Sequence, residues 1–179
     1  MSGRRNPPSA WHDARDTAPR FTFAYMYANA SMARGEVFLV CFDPQHRLAL
    51  ARFGSADPAG PWTLPSQRQS GGESCDAAAA RLVTTLASPG VLRFGAVTGR
   101  AEVISLNGAA RPRRPEAHIF TAHVRSASAL NSAGGGGALR WIPYGDAARA
   151  VHHLGIPDLG NFLDGYVNGW IPDGWITLC

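Results

Sequence analysis

The sequence contains no lysine. All 17 of its basic residues are arginines, which removes Schiff-base chemistry and every other lysine-dependent mechanism. Nucleotide-composition bias, which the many Ala, Gly and Pro residues also suggest, accounts for that choice without a functional reason. Charge as a whole is sparse: charged residues make up 17% of the chain and the formal net charge is only +4. No basic run is interleaved with aromatics, so no nucleic-acid platform is expected. There is no apolar run near the ~18 residues that a membrane span needs, and no internal repeat. The arginines near the N-terminus are not followed by an apolar stretch, so no secretion signal is expected. Cysteine is scarce. Cys41, Cys75 and Cys179 are odd in number and have neither paired nor metal-like spacing, which points to a reducing compartment, the cytoplasm by default. No motif supports a Ser-His-Asp hydrolase.

What is present suits a single globular domain. The chain has 179 residues, of which 45% are hydrophobic, enough to bury a core. Residues 1–20 are polar and proline-bearing and read as a loose arm, leaving 21–179 as the domain. Phe21 to Tyr27, Glu36 to Cys41 and Arg47 to Phe53 read as strands, the last two joined as a hairpin by the turn at Asp43 to His46. Gly54 to Pro61 is a loop. Further strands are expected at Val91–Val97 and Ala101–Leu106, broken by Thr98-Gly99-Arg100, and at Ala117–Val124. The four consecutive glycines within 131–137 mark a loop. Helices are expected from Gly145 and over Pro157–Trp170, with Pro157 in a first-turn position. Strands alternating with helices argue for an α/β layer fold.

The most informative stretch is Trp62 to Ala87, a strand end, a glycine-bearing loop and a helix. Ser74 is placed to cap that helix and Asp76 to favour its dipole from the first turn. Ala77 to Ala80 follow, then Leu82, Val83 and Leu86 at helical spacing, the pattern of an alanine-rich helix packed on a sheet.

The same stretch resembles the Nudix box, G-x5-E-x7-R-E-U-x-E-E-x-G-U with U a bulky aliphatic, commonly preceded by W-x-L-P-G-G. Trp62, Leu64 and Pro65 match the preceding run. Gly72, Glu73 and Ser74 match the helix start, Arg81 follows Glu73 at the required spacing, and Val83 fills the aliphatic position. The departures are Gln67 for the box glycine, Ser66 for its neighbour and Leu82, Thr85 and Leu86 for three glutamates, with Ser88 for the closing glycine. Leu139 to Tyr144 resembles the late W-V-P segment of the family, so the resemblance runs from about Glu36 to about Asp164. It implies the Nudix α/β/α sandwich, a mixed sheet between helices. In the family the helix glutamates hold magnesium or manganese against a diphosphate. Hard cations need oxygen ligands, chiefly carboxylates, and three of the four box carboxylates are missing. Metal-dependent pyrophosphate hydrolysis is therefore not expected at this box, and no cofactor is expected.

Candidate residues follow. Glu73 is a candidate acid or base if an apolar pocket raises its pKa; alternatively it pairs with Arg81 and holds the loop. Arg68, Arg81, Trp62, Leu82, Thr85 and Leu86 are candidate ligand contacts, the two leucines as pocket lining. Arg111, Arg113 and Arg114 form a loop cluster able to fork onto a phosphate or carboxylate, or simply to be solvated. Glu116 is a candidate because some Nudix proteins carry an auxiliary carboxylate late in the chain. His118 and His123, five apart on a strand, face opposite ways and form no ligand pair, although one of them can line the site. His152 and His153 diverge likewise. Cys75 at a helix start invites a lowered thiol pKa, against the plainer role of a small buried thiol. Trp62 and Trp141 suit either ring stacking or the core.

Three functions are compatible with these features. The first is a Nudix-fold protein that has lost its metal site and binds a small molecule or performs metal-independent acid/base chemistry on it. The second is a binding module without catalysis. The third is a residual hydrolase of a diphosphate-linked substrate using Glu73 and Glu116 with Mg2+. The final GWIPDGWITLC has no assignable role.

Overall fold

A computed structural model describes residues 35–52, 60–102, 116–130 and 138–179. All of them belong to the compact unit Met32–Cys179. The expected arm over 1–20, the strand at Phe21–Tyr27, the arginine cluster at 111–114 and the glycine loop at 131–137 lie outside the described residues.

The described residues form a mixed sheet of seven strands flanked by helices, as expected of an α/β/α sandwich. The strands are β1 (Glu36–Phe42), β2 (Arg47–Arg52), β3 (Ser66–Arg68), β4 (Leu92–Glu102), β5 (Glu116–Val124), β6 (Ala138–Pro143) and β7 (Gly174–Leu178). Their order is β6-β2-β1-β5-β4-β7, and β3 adds to β1. The centre of the sheet is the parallel pair β1–β5, in register from Glu36 opposite Ala117 to Phe42 opposite His123. β1 is buried on both faces from Val37 to Phe42, which explains its continuous apolar run, and β5 is buried on both faces from Ile119 to Ala122.

Helix α1 (Cys75–Leu86) covers one face. Its Ala78, Ala79, Leu82 and Leu86 pack with Val37, Leu39, Cys41, Phe120, Ala122 and Val124. Helices α2 (Tyr144–Ala150) and α3 (Leu159–Val167) cover the other, where Phe162 and Leu163 meet Phe38, Val40, Phe42 and Ile119. Because side chains alternate along a strand, each central strand feeds both layers.

The structure departs from the sequence reading in several places. The hairpin β1–β2 pairs only at Phe42 and Leu48; β2 runs mainly against β6, six residues in register. The turn itself is held by Asp43, whose Oδ1 accepts from the amides of Gln45 and Arg47, each at 2.9 Å. Thr98-Gly99-Arg100 does not break a strand. β4 is continuous across it, paired with β5 on one side and β7 on the other, and its irregularity falls earlier, between Phe94 and Thr98. α3 starts after Asp158, a left-handed residue (φ 49°), so Pro157 lies before the helix rather than in its first turn. The C-terminal run contains a strand, β7, parallel to β4.

Candidate functional site

The chain enters α1 through a tightly wired loop. Gly72 takes a positive φ of 76°, which a glycine adopts without steric cost. Ser74 Oγ accepts from the Ala77 amide at 3.1 Å, the expected cap. Gln69, which the sequence did not single out, crosses the loop: its Oε1 accepts from the Gly35 amide at 3.1 Å and its Nε2 donates to the Glu73 carbonyl at 3.0 Å. The same Nε2 lies 3.3 Å from Cys75 Sγ.

Glu73 is fully engaged in this wiring. Arg81 donates from Nε to Oε1 at 3.0 Å and from Nη2 to Oε2 at 2.7 Å, and the Ser70 amide donates to Oε2 at 2.7 Å. Arg81 also donates to the Arg68 carbonyl at 2.9 Å. These bonds, the Arg81 pair foremost, pull the Glu73 carboxyl down to about 2. The expectation of a raised pKa is thus reversed, because the group meets an arginine and a backbone amide rather than an apolar pocket. Glu73 and Arg81 hold the loop against the helix, the structural alternative considered for them.

Leu82 and Leu86 are 1% and 0% exposed and sit in the apolar layer between α1 and the sheet. They fill the core rather than line an open pocket, since the helix face carrying them is pressed on Ala122 and Phe120. Thr85 is exposed and its Oγ1 turns back to the Arg81 carbonyl at 3.1 Å. Two buried leucines, a hydroxyl spent on its own helix and a glutamate bound to arginine do not fit a hard divalent cation. Among the described residues no group of three or more His, Cys, Asp or Glu is placed to hold a metal. Trp62 packs against the α2–α3 side of the core, with the Arg52 guanidinium 4.8 Å over its ring. Trp141 packs on the α1 side.

The polar chemistry gathers elsewhere, beyond the N-terminus of α1 and on its side of the sheet. Glu116 and His118, two apart on β5, face the same way, and Arg100 lies opposite His118 on β4. Arg100 Nε is ion-paired with Glu116 Oε1, and His118 Nε2 is 3.4 Å from the same oxygen. The His118 side chain is 12% exposed, and its Nδ1 is buried with no partner. Burial pushes the His118 pKa below its ordinary value; Glu116 opposes that and Arg100 adds to it. The imidazole is therefore neutral near pH 7. Cys75 lies within electrostatic reach of Glu116, and burial first, then the charges of Glu116 and Asp76, push its thiol up to about 11. The helix start does not activate this thiol, because desolvation and two carboxylates outweigh the dipole.

β7 adds aromatic surface. Trp175 lies opposite Thr98 on β4 and contacts His118 edge to face at 5.9 Å between ring centroids. His123 lies on the opposite face, as expected: its Nε2 is 2.7 Å from Tyr166 Oη, and its ring stacks with Phe42 and Tyr166. His152 and His153 also diverge, their rings perpendicular at 89°. Glu116 and His118 are thus brought together, with Arg100 and Trp175, which the sequence did not reveal. Glu73, Arg81, Leu82 and Leu86 form a separate scaffold. The Glu–x–His alternation on β5 was the available signal; Arg100 was hidden in an apparent turn.

No family model matches the sequence, and no curated protein matches it. Solved structures do. The Ap4A hydrolase of C. elegans superposes with a TM-score of 0.57 at 16% identity, covering 78% of this chain and all (100%) of that one. RenU, a Nudix hydrolase from M. smegmatis, gives 0.53 at 21% identity over 78% of this chain and 88% of its own. The E. coli dihydroneopterin triphosphate pyrophosphohydrolase gives 0.54 at 16% identity over 75% and 94% respectively. Together with the loop-helix stretch around Glu73 and Arg81, these matches establish that the fold of this chain is that of the Nudix hydrolases.

Proposed function

We propose that this protein binds a small molecule without a metal, on the α1 side of the β4–β5–β7 part of the sheet, and acts on it by acid/base chemistry through Glu116. The observation that carries this reading is the separation of roles between α1 and the sheet. The positions where a Nudix box holds its metal-binding glutamates are core leucines at 82 and 86, while a carboxylate, an imidazole and a guanidinium converge on β5 and β4. Clefts with convergent titratable groups are where function concentrates. In this site Glu116, ion-paired through Oε1 with Arg100 and 3.4 Å from His118 Nε2, is the group that accepts a proton or hydrogen bond from the ligand. His118, neutral and largely buried, packs beside the carboxylate without hydrogen-bonding to it and without competing for charge. A residual hydrolase built on Glu73 and Glu116 with Mg2+ is not supported, because Arg81 and Ser70 occupy the Glu73 oxygens. A binding module without catalysis shares the same site and differs only in turnover.

The test is a thermal-shift and calorimetric titration with ADP-ribose, nucleoside diphosphates, prenyl diphosphates and neutral nucleosides, each with and without Mg2+. A ligand that binds the native state raises the unfolding midpoint by mass action. The expected result is a shift that is independent of Mg2+ and lost in Glu116→Gln. A shift that requires Mg2+ and a diphosphate together would overturn the reading.

A further inference from the structure

The C-terminal strand contributes something that acid/base chemistry at Glu116 does not use. Trp175 is 50% exposed and Phe94 49% exposed; exposed aromatics signal a use when they gather into one patch, not when they stand singly. They are not scattered. Phe94 meets Phe120 edge to face at 5.9 Å, Phe120 meets Trp175 at 6.3 Å, and Trp175 meets His118 at 5.9 Å. The result is an aromatic strip across β4, β5 and β7 that ends at Glu116. Gly174, with φ of 116°, sets the start of β7 in a conformation that side chains rarely adopt, and Trp175 follows immediately.

The charge of this strip limits what it can hold. Arg100 is paired with Glu116, and Asp76 lies close enough to act on both His118 and Cys75. Thr98 and Thr177, which share the Trp175 face by strand alternation, are uncharged. Among the described residues the strip is therefore neutral to acidic, which suits an uncharged ring and opposes a diphosphate. Glu116, an acceptor at the end of the strip, suits a ring with an N–H edge.

We propose that Trp175 is the stacking platform for a neutral, planar nitrogen heterocycle whose N–H edge faces Glu116. The proposal rests on the placement of the site at Glu116, and names the class of ligand that the site takes.

The probes are adenosine and riboflavin, with pyrophosphate as the charged control and ribose as the ring-free control. They are titrated into the full chain and followed by tryptophan fluorescence and thermal shift. The expected result is quenching and stabilisation by at least one planar probe and by neither control. Trp175→Leu, which keeps an apolar side chain but no ring, weakens that binding roughly tenfold or more, within the range that base–aromatic stacking supplies. Trp175→Phe keeps it within about threefold, since a smaller ring still stacks. Circular dichroism of both variants verifies that they fold. Unchanged affinity in Trp175→Leu, tighter binding of pyrophosphate than of the planar probes, or no planar probe binding would each overturn the proposal. Loss of binding in Trp175→Leu but not in Glu116→Gln leaves stacking standing and overturns the placement of chemistry at Glu116; the reverse pattern overturns the stacking alone.

Discussion

Arg81 reaches back along α1 and grips both carboxylate oxygens of Glu73 while also donating to the Arg68 carbonyl. The pair ties β3, the loop and the helix into one piece, and this fixes what its removal does. Glu73→Gln is expected to lower the unfolding midpoint by a few degrees and to open the loop to proteolysis near Gly71-Gly72, with ligand binding retained. The stabilising effect of the carboxylate also has a pH window. Its ordinary value is 4.5 and its folded value about 2, so the unfolded chain binds the extra proton between them. The contribution is complete above 4.5 and is lost as pH falls toward 2. Acid unfolding of wild type and Glu73→Gln, followed by circular dichroism, should converge below that window.

Restoring carboxylates to α1 should not restore a metal site. Leu82→Glu or Leu86→Glu places a charge in the layer facing Phe120 and Ala122, at a cost of about 3 kcal/mol or more, because a buried charge without a partner is strongly unfavourable. Leu86→Ala, which leaves only a cavity, should cost ~2–5 kcal/mol. Urea denaturation with and without Mg2+ measures both. Rescue of the glutamate variants by Mg2+ would show the helix face to be accessible, against this expectation.

His118 should titrate below its ordinary value of 6.5. Between the folded value and 6.5 the unfolded chain binds more protons, so stability rises with pH through this range and declines as pH falls below 6.5. The neighbours act in opposite senses. Glu116→Gln is expected to lower the His118 midpoint further and Arg100→Gln to raise it, both readable by NMR of the ring protons. Equal midpoints in all three proteins would mean that the cluster is not electrostatically connected.

Gly95 lies where β4 loses its regular pairing with β5. A Cβ there would fall inside contact distance of Thr121 Oγ1 and Tyr166 Oη. Neither yields easily: Thr121 is buried and donates to the Val97 carbonyl at 2.7 Å, and Tyr166 is held by His123 at 2.7 Å. Gly95→Ala should therefore cost ~1–3 kcal/mol, as overpacking does. Adding Tyr166→Phe should recover part of the loss, measured by chemical denaturation of the single and double variants.

Local signals made much of the fold legible. The Ser74 cap, the apolar stripe of α1 and the apolar run of β1 each state their structure within a few residues. The failures are long-range. Thr98-Gly99-Arg100 reads as a turn because glycine usually punctuates, yet pairing with β5 and β7 on both sides holds it in a strand. Trp175 to Leu178 is too short to announce a strand by itself and exists through its parallel pairing with β4. The candidate site suffered likewise. Glu116 and His118 were each singled out, but separately, with Glu116 placed just before the strand, and Arg100 and Trp175 join them only through sheet register. Leu82 and Leu86 were correctly apolar; what lay against them was not in their own neighbourhood of the chain.

The parallel pairing of β1 with β5 also bears on how the molecule comes together. Everything from β1 to α1 is contiguous in sequence, but the strand that completes the centre of the sheet lies far downstream, Glu36 waiting for Ala117. Until β5 arrives, β1 has one edge unpaired and α1 lacks Phe120, Ala122 and Val124 beneath it. Closing so long a loop before any contact rewards it makes the search slow. The half-built sheet meanwhile exposes the run Val37 to Phe42, whose β-rich and uncharged character favours pairing between chains. Refolding yield should thus be governed by the race between β5 docking and self-association, and so fall as protein concentration rises.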